Sequence, residues 1–100
     1  LLGLAYKRNT GDARETPAGP IARQLVDLGA DVQAADPHVG EDALGPHVRR
    51  VDLDADEVRA ADAVVLLVDH DAFDLDLVVD HARFVLDTRH CLHGENVEHL

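Results

Sequence analysis

Apolar runs and polar stretches alternate along this chain at the lengths of strands and helices. Five apolar runs are predicted to be strands, at residues 1–6, 31–36, 48–53, 63–68 and 84–87. The run AVVLLV at 63–68 is the clearest, because an unbroken aliphatic and β-branched run is typical of a strand buried on both faces. The run at 48–53 is predicted as a short edge strand, and residues from Thr88 onward as a loop with a last turn of helix.

Three helical segments are predicted between these strands. Thr16 and Pro17 form a hydroxyl N-cap followed by proline at the first helical position, apolar side chains then recur at close to helical spacing, and Gly29 ends the helix. Shorter helices are predicted at 54–61 and 75–81. This alternation predicts an α/β fold, a three-layer, Rossmann-like open parallel sheet with helices on both faces.

Length and composition set the class of protein. One hundred residues, 46% of them apolar, are expected to form a single domain, 1–100, with an ordinary globular core. No run approaches the roughly 20 apolar residues of a membrane helix, and no signal-peptide pattern is present. Because LLGLAY begins as a strand already under way, we expect a piece of a longer protein. The single cysteine, Cys91, excludes an internal disulfide and fits a reducing, cytoplasmic compartment.

Acidic residues dominate the charge, with fifteen Asp and five Glu against eight Arg and one Lys, for a formal net charge of −11. Such a surface repels nucleic acid and anionic membranes, so neither is expected as a partner. Two explanations stay open: codon use in a high-GC genome, and adaptation to a salt-rich cytoplasm, as in a halophile. The excess of Asp with almost no Lys favours salt adaptation.

The cations are unevenly placed along the chain. Lys7, Arg8 and Arg14 lie within eight residues directly after the first predicted strand, and Arg89 follows the last. The carboxyl ends of parallel strands share the edge of the sheet where ligands bind, and the helix N-terminus at Thr16 attracts anions. One interpretation is therefore a phosphate-bearing ligand. The other is that these cations pair with neighbouring Asp residues on an acidic surface.

The other polar patterns give weaker evidence for a binding or catalytic site. No GxGxxG follows the first strand, so a self-contained dinucleotide site is not expected, and Asp36 is predicted to form a turn. His90, Cys91 and His93 match no zinc spacing, so no metal site is expected, and Cys91 would need an activating base to act as a nucleophile. The segment 69–71, Asp-His-Asp, is similar to fragments of acid-base sites, but after a buried strand it is predicted to cap the next helix.

The segment GLAYKRNTGDARETPA, residues 3–18, resembles the signature that opens the C-terminal, UDP-binding domain of the UDP-glucose/GDP-mannose dehydrogenase family, which includes UDP-N-acetylmannosamine dehydrogenases. Further similar segments follow in order along the chain. GADVQAADP at 29–37 resembles the family's second strand and Asp-Pro turn. ADAVVLLVDHDAF at 61–73 resembles its central strand and acidic loop, and VLDTRH at 85–90 its last strand with Asp-Thr-Arg.

The resemblance implies a part of an NAD-dependent enzyme of polysaccharide biosynthesis. In such enzymes an N-terminal domain binds NAD, a central domain dimerises, and the C-terminal domain holds the nucleotide end of a UDP-sugar or related nucleotide-sugar. They oxidise the sugar C6 alcohol to a carboxylate through a thiohemiacetal on a cysteine. That cysteine lies in a motif upstream of this domain, so the isolated domain is expected to be inactive and the full-length enzyme a homo-oligomer. A free-standing, non-catalytic nucleotide-binding or interaction module is the alternative.

The resemblance also implies roles for individual residues. Lys7 matches a lysine that contacts the sugar nucleotide, and Arg14 matches an arginine that reaches NAD across the domain interface. Arg89, or its neighbour His90, matches an arginine that contacts substrate. Arg8 stands where the family often has proline, so it inherits no role and is predicted to be solvated. The Asp-His pair at 69–70 favours an N-acetylhexosamine over UDP-glucose or GDP-mannose as substrate.

Overall fold

The computed structural model describes residues 1–13, 16–40 and 44–100. Within them the helices are α1 (Ala18–Asp27), α2 (Ala55–Ala60) and α3 (Leu75–His81). The strands are β1 (Gln33–Ala34), β2 (Arg49–Arg50), β3 (Val64–Leu66), β4 (Val85–Asp87) and β5 (Val97–His99). The pairs β1–β2, β3–β4 and β4–β5 are all parallel.

Leu2 joins the two groups of strands into one sheet. It forms parallel bridges to Ala35, just past β1, and to Leu66 in β3. The Leu2 amide donates to the carbonyl of Val65 at 2.8 Å, and the Gly3 amide donates to the carbonyl of Ala35 at 3.0 Å. The order across the sheet is therefore β2, β1, Leu2, β3, β4, β5. The order reverses between Leu2 and β3, which is where doubly wound sheets open a crevice for ligands.

Gly3 permits a close approach of two chain segments at this reversal. Its φ is +91°, and a Cβ built there would lie 2.6 Å from both the Cβ and the amide nitrogen of Val68. Glycine alone adopts this φ without strain, and no side chain fits the space. The segment after Leu2 and the segment after β3 therefore leave the sheet side by side.

Apolar side chains cover both faces of the sheet. On one face, Val58 of α2 and Val78 of α3 pack with Leu66 of β3 in one hydrophobic cluster. On the other face, Ala22 of α1 packs with Ala34 of β1 in a second cluster. Burying an aliphatic side chain of this size contributes about 1.5–3 kcal/mol. The two clusters confirm the three-layer α/β fold, with a parallel sheet between helices.

Capping side chains begin the helices close to the predicted residues. Asp54 accepts a hydrogen bond from the Glu57 amide at 2.8 Å and begins α2, and Asp74 begins α3 in the same way. The Thr16 hydroxyl accepts from the Ala18 amide at 3.2 Å, but the N-cap position of α1 is Pro17, so α1 begins one residue later than predicted.

The prediction for the end of the chain is wrong. Residues 97–99 form the strand β5 beside β4, where the sequence predicted a loop with a turn of helix. Val97 is the only apolar residue of β5, because an edge strand with one partner and exposed side chains needs no apolar run. In the described part of the chain, no helix is long and apolar enough to span a membrane.

Candidate functional site at the carboxyl edge of the sheet

Four polar segments leave the carboxyl edge of the sheet around the point where the strand order reverses. They are the 7–13 loop after Leu2, the turn at 36–38 after β1, the 69–71 segment after β3 and the 88–92 loop after β4. Hydrogen bonds from the Asn9 amide to His70 and between the His70 and Asp36 side chains join the first three segments. The ion pair between Arg89 and Asp69 joins the 88–92 loop to them. The structure therefore brings Arg8 and Arg89 to the same edge of the sheet.

Asp36 is a buried carboxylate at the centre of this edge. Its Oδ2 accepts hydrogen bonds from the amides of Leu4 at 2.7 Å and Ala5 at 3.2 Å, and its Oδ1 accepts one from the His38 amide at 2.8 Å. Burial by itself would raise the pKa of Asp36, but these amides and the His70 side chain lower it below its usual value. Asp36 is therefore an anion, and its bond to His38 makes the predicted turn.

The hydrogen bonds of Asp36 also occupy the amides that would otherwise bind a pyrophosphate. In dinucleotide-binding folds, free amides in the turn after the first strand hold the pyrophosphate. Here the amides of Leu4 and Ala5 already bind the Asp36 carboxylate. The residues present do not fit a pyrophosphate at that position, in agreement with the absence of a GxGxxG motif.

His70 and Asn9 tie the 7–13 loop to the sheet. His70 is 1% exposed, and its Nε2 lies 2.8 Å from Asp36 Oδ2, while its Nδ1 accepts a hydrogen bond from the Asn9 amide at 2.8 Å. The Asn9 side chain donates to Asp71 Oδ2 and accepts from the Asp71 amide, both at 2.9 Å. The segment 69–71 thus anchors the 7–13 loop, a role that differs from the predicted cap of α3.

Asp87 organises the 88–92 loop. This buried carboxylate accepts hydrogen bonds from four amides, at 2.7–2.9 Å, those of Arg89, His90, Cys91 and Leu92. Burial acts to raise the pKa of Asp87, but the four amides outweigh it and lower the pKa below its usual value. The loop wraps around one carboxylate, and this geometry presents the Arg89 side chain at the surface.

Asp69 brings two arginines together. Its Oδ1 accepts a hydrogen bond from Arg89 Nε at 2.9 Å, and Arg8 Nη1 lies 3.8 Å from its Oδ2. Both arginines are about half exposed, at 53% for Arg8 and 46% for Arg89, whereas Asp69 is 17% exposed. Two cations and one anion therefore form a cluster of net charge +1 that is open to solvent. We call this the Arg8–Asp69–Arg89 cluster.

The other predicted site residues are Lys7, His90 and Arg14. Lys7 precedes Arg8 and is exposed, and among the described residues its ammonium has no ion-pair partner. His90 has a φ of +58°; its ring stacks on that of His99 at 4.9 Å and contacts the main chain of Leu100. Its side chain is therefore engaged with β5. Arg14 lies outside the described residues.

The surroundings of Cys91 do not activate its thiol as a nucleophile. Partial desolvation and the carboxylates of Asp87 and Asp69 raise the pKa of its thiol, which disfavours the thiolate. Across residues 1–13, 16–40 and 44–100, no group of three His, Cys, Asp or Glu side chains is arranged to hold a metal ion.

A cleft of about 710 Å³ opens at the carboxyl ends of β1 and β2, beside Asp36. Acidic side chains dominate its polar lining, with Asp52, Asp54 and Glu57 facing one cation, Arg50. The Arg50 guanidinium is itself held by the main-chain carbonyls of residues 36, 39 and 40. This cleft repels a phosphate, so an anionic group is better accommodated at the Arg8–Asp69–Arg89 cluster.

The sequence pattern did not indicate the roles of Asp69, His70, Asn9 and Asp87. The only indication was that acidic and histidine side chains directly follow two buried strands. That signal marks an edge of the sheet without saying which side chain turns inward. The pairing of Asn9 with His70 crosses 61 residues of chain, so no local pattern encodes it.

Comparison with known proteins agrees with this fold. Residues 1–94 match the model of the UDP-glucose/GDP-mannose dehydrogenase family, UDP binding domain. The chain belongs to this family. It is 31% identical over 103 residues to a UDP-N-acetyl-D-mannosamine dehydrogenase of Methanocaldococcus jannaschii, covering 95% of this chain and 23% of the relative. It is 35% identical over 94 residues to a UDP-glucose 6-dehydrogenase of Haloferax volcanii, covering 89% and 22%.

A third relative broadens the range of sugars among these enzymes. The chain is 41% identical over 93 residues to an NDP-N-acetyl-D-galactosaminuronic acid dehydrogenase of Ralstonia solanacearum, covering 88% of this chain and 21% of that protein. The chain thus spans less than a quarter of the length of each of these three relatives. The part of the family that the chain matches is the UDP-binding domain.

Proposed function

We propose that this chain is the substrate-binding domain of an NAD-dependent nucleotide-sugar 6-dehydrogenase that oxidises the sugar C6 alcohol to a carboxylate. The observation that carries the proposal is the Arg8–Asp69–Arg89 cluster, which lies at the carboxyl edge where the strand order reverses. Guanidinium groups form strong, charge-assisted hydrogen bonds with phosphate. A chain of net charge −11 that groups cations at this edge is suited to a diphosphate there.

The proposed roles follow from position and charge. Lys7 and Arg89 bind the diphosphate and offset its charge, with Arg8 as a third cation. Of Arg89 and His90, we assign the substrate contact to Arg89, because the His90 ring stacks on His99. Holding the diphosphate fixes the sugar relative to a reacting group on another domain, which lowers the entropic part of the barrier. Arg14 is assigned to NAD across a domain interface.

NAD itself is assigned to another part of the polypeptide. The amides of Leu4 and Ala5, which would hold a pyrophosphate after the first strand, bind Asp36 instead, so we assign the NAD pyrophosphate to another domain. The dehydrogenase that contains this chain would supply the NAD domain, the reactive cysteine and the oligomeric contacts, and the isolated chain would be inactive. We expect the polypeptide to be cytoplasmic and to carry a GxGxxG motif and a cysteine motif ahead of these residues. A polypeptide without them would support the alternative of a non-catalytic module.

A UDP-N-acetylhexosamine is the proposed substrate, with UDP-glucose or GDP-mannose as the alternatives. The relatives include enzymes named for N-acetylated sugars and enzymes named for UDP-glucose, so the preference rests on the Asp-His pair at 69–70. Competition of UDP-N-acetylmannosamine against UDP-glucose and GDP-mannose for the full-length enzyme distinguishes these substrates. Preference for either alternative would contradict this assignment.

Titration of the chain with UDP, followed by amide NMR, tests the binding function. We expect shifts in residues 7–13 and 88–92, and a much smaller response to uridine, which lacks the diphosphate. Arg89→Gln should raise the Kd for UDP about tenfold or more, because it removes hydrogen bonds between charged groups. Arg83→Gln is the matched control, since Arg83 pairs with Asp62 at the other end of β3 and β4. No response at millimolar UDP would contradict the proposal.

A further inference from the structure

We propose that His70 is a positioning residue that sets the geometry of the 7–13 loop and thereby the placement of Lys7 and Arg8 on the ligand. The inference rests on the proposed function, because it concerns the same diphosphate. Its structural basis is a continuous chain of hydrogen bonds, from the buried Asp36 through the buried imidazole of His70 to the partly buried amide of Asn9.

The hydrogen-bond partners determine the form of the imidazole. The Asn9 amide is a donor, so His70 Nδ1 carries no proton and accepts from it at 2.8 Å. The proton of the neutral ring is then on Nε2, which donates to Asp36 Oδ2 at 2.8 Å. Both ring nitrogens are engaged and the side chain is buried, so His70 has no free nitrogen for acid-base chemistry on a ligand.

The alternative that His70 is only a packing residue explains less of the structure. A buried polar side chain costs free energy unless it is hydrogen-bonded, and an apolar residue would fill the same volume without that cost. The rings of His38 and Phe73 pack against the His70 ring, with centroids 4.6 Å and 5.4 Å away, so an aromatic side chain could pack in this place without the two hydrogen bonds. What the imidazole adds is a pair of directed bonds that link the end of β1 to the 7–13 loop.

Asn9 is the point where that link reaches the loop. Its φ of +60° lies in the left-handed region, which asparagine tolerates better than most residues. Its side chain exchanges two hydrogen bonds with Asp71, and its amide bonds to His70. Three bonds therefore fix the residue that directly follows Lys7 and Arg8. Loss of the amide bond would release the loop on the side that faces the Arg8–Asp69–Arg89 cluster.

Two substitutions separate the two bonds of His70. In His70→Asn, Oδ1 takes the place of Nδ1 and can accept from the Asn9 amide, while the bond to Asp36 is lost. In His70→Gln, the side-chain amide reaches toward Asp36 as Nε2 does, and the Asn9 amide is left without its acceptor. A purely structural role would make the UDP affinities of the two variants follow their stabilities.

The experiment measures the Kd for UDP and the free energy of unfolding for the wild-type chain and both variants. We expect His70→Asn to bind UDP close to the wild-type Kd and His70→Gln to raise that Kd about five- to tenfold, whatever the order of their stabilities. A scalar coupling across the hydrogen bond between the Asn9 amide nitrogen and His70 Nδ1 should be visible in the wild type. Equal affinities in the two variants, or no coupling, would overturn the inference.

The outcomes separate this inference from the proposed function. If the wild type binds UDP and the two variants lose affinity equally, the positioning role fails and the binding function stands. If the wild type does not bind UDP, the proposed function fails. The positioning role is then decided by hydrogen exchange in residues 7–13, which should be faster in His70→Gln than in His70→Asn; equal exchange rates would overturn it.

Discussion

Replacing Asp87 by asparagine tests the idea that one buried carboxylate holds the 88–92 loop. Asp87 is fully buried and accepts hydrogen bonds from four successive amides, those of residues 89–92. Asparagine has nearly the same shape but only one acceptor oxygen. Two of the four amides would therefore keep an acceptor, and the other two would face the side-chain NH2 group, which is itself a donor.

The expected cost follows from the number of bonds lost. A hydrogen bond to a charged group contributes about 1.5–3 kcal/mol, so the loss of two gives about 3–6 kcal/mol. Small domains have free energies of unfolding of about 5–15 kcal/mol, so Asp87→Asn should remove a large part of the total. A fully exposed carboxylate should behave differently, because its removal leaves no amide without an acceptor.

The pH dependence of stability gives a second sign of the same carboxylate. In the unfolded chain Asp87 titrates near its usual pKa of about 3.9, and in the folded chain its pKa is lower. The stabilisation is therefore complete above about pH 4 and is lost as the pH falls through the folded-state pKa. The lowered pKa of Asp36 acts in the same direction. Asp87→Asn should lose less stability on acidification than the wild type, because the contribution of Asp87 is gone while that of Asp36 remains.

Urea denaturation followed by circular dichroism measures both effects, since the chain has no tryptophan for fluorescence. The matched control is Asp80→Asn, which removes the same charge at an exposed position of α3. We expect the control to stay within about 0.5 kcal/mol of the wild type. If Asp87→Asn unfolds at the same urea concentration as the control, the carboxylate does not hold the loop and the reasoning is refuted.

Three further predictions concern backbone geometry and charge. Gly3→Ala should lower the free energy of unfolding by about 2–5 kcal/mol, because it combines an unfavourable φ with a clash against Val68. Gly29→Ala is the control: its φ is +93° but the space around it is open, so it should cost only the backbone strain of about 1–2 kcal/mol. Equal costs in urea denaturation would contradict the close approach at Gly3. Asn9→Ala should be less stable than Asn9→Gly by about 1 kcal/mol. Both variants lose the side-chain bonds to Asp71, but glycine adopts the left-handed φ of this position without strain. The reverse order of stability in urea denaturation would contradict this. If the acidity reflects salt adaptation, the Tm should rise steeply with molar KCl, and a flat Tm would exclude that explanation.

Apolar patterning was sufficient to predict most of the fold. The run predicted at 63–68 contains β3, which is mostly buried. The helices predicted at 54–61 and 75–81 match α2 and α3, because each helix buries an apolar side chain and begins at an aspartate cap. β5 was not predictable in this way. Its pairing comes from the edge of β4, and its own side chains are largely exposed, so the sequence carries almost no apolar signal there.

The site was predictable in position but not in detail. That polar segments after parallel strands share one edge follows from topology, which is why the cations after the first predicted strand and Arg89 could be grouped beforehand. Which carboxylates turn inward depends on where free amides lie in the folded chain. Asp36 and Asp87 bind amides and are buried, while Asp69 binds arginine side chains and stays partly exposed. Composition cannot distinguish these three residues.

This distinction explains how so acidic a chain can present a site for an anion. The charges of Asp36 and Asp87 are buried and offset by the partial positive charges of three and four amides. At the surface of the same edge, the Arg8–Asp69–Arg89 cluster carries a net charge of +1, and the exposed Lys7, which precedes Arg8 in the chain, adds a further cation. The remaining acidic residues act over longer distances, and salt screens exposed charges beyond about 8 Å at physiological ionic strength and about 3 Å at 1 M. Direct contacts between a phosphate and these guanidinium groups persist under that screening, so a higher salt concentration weakens the repulsion from the rest of the surface more than the attraction at the site.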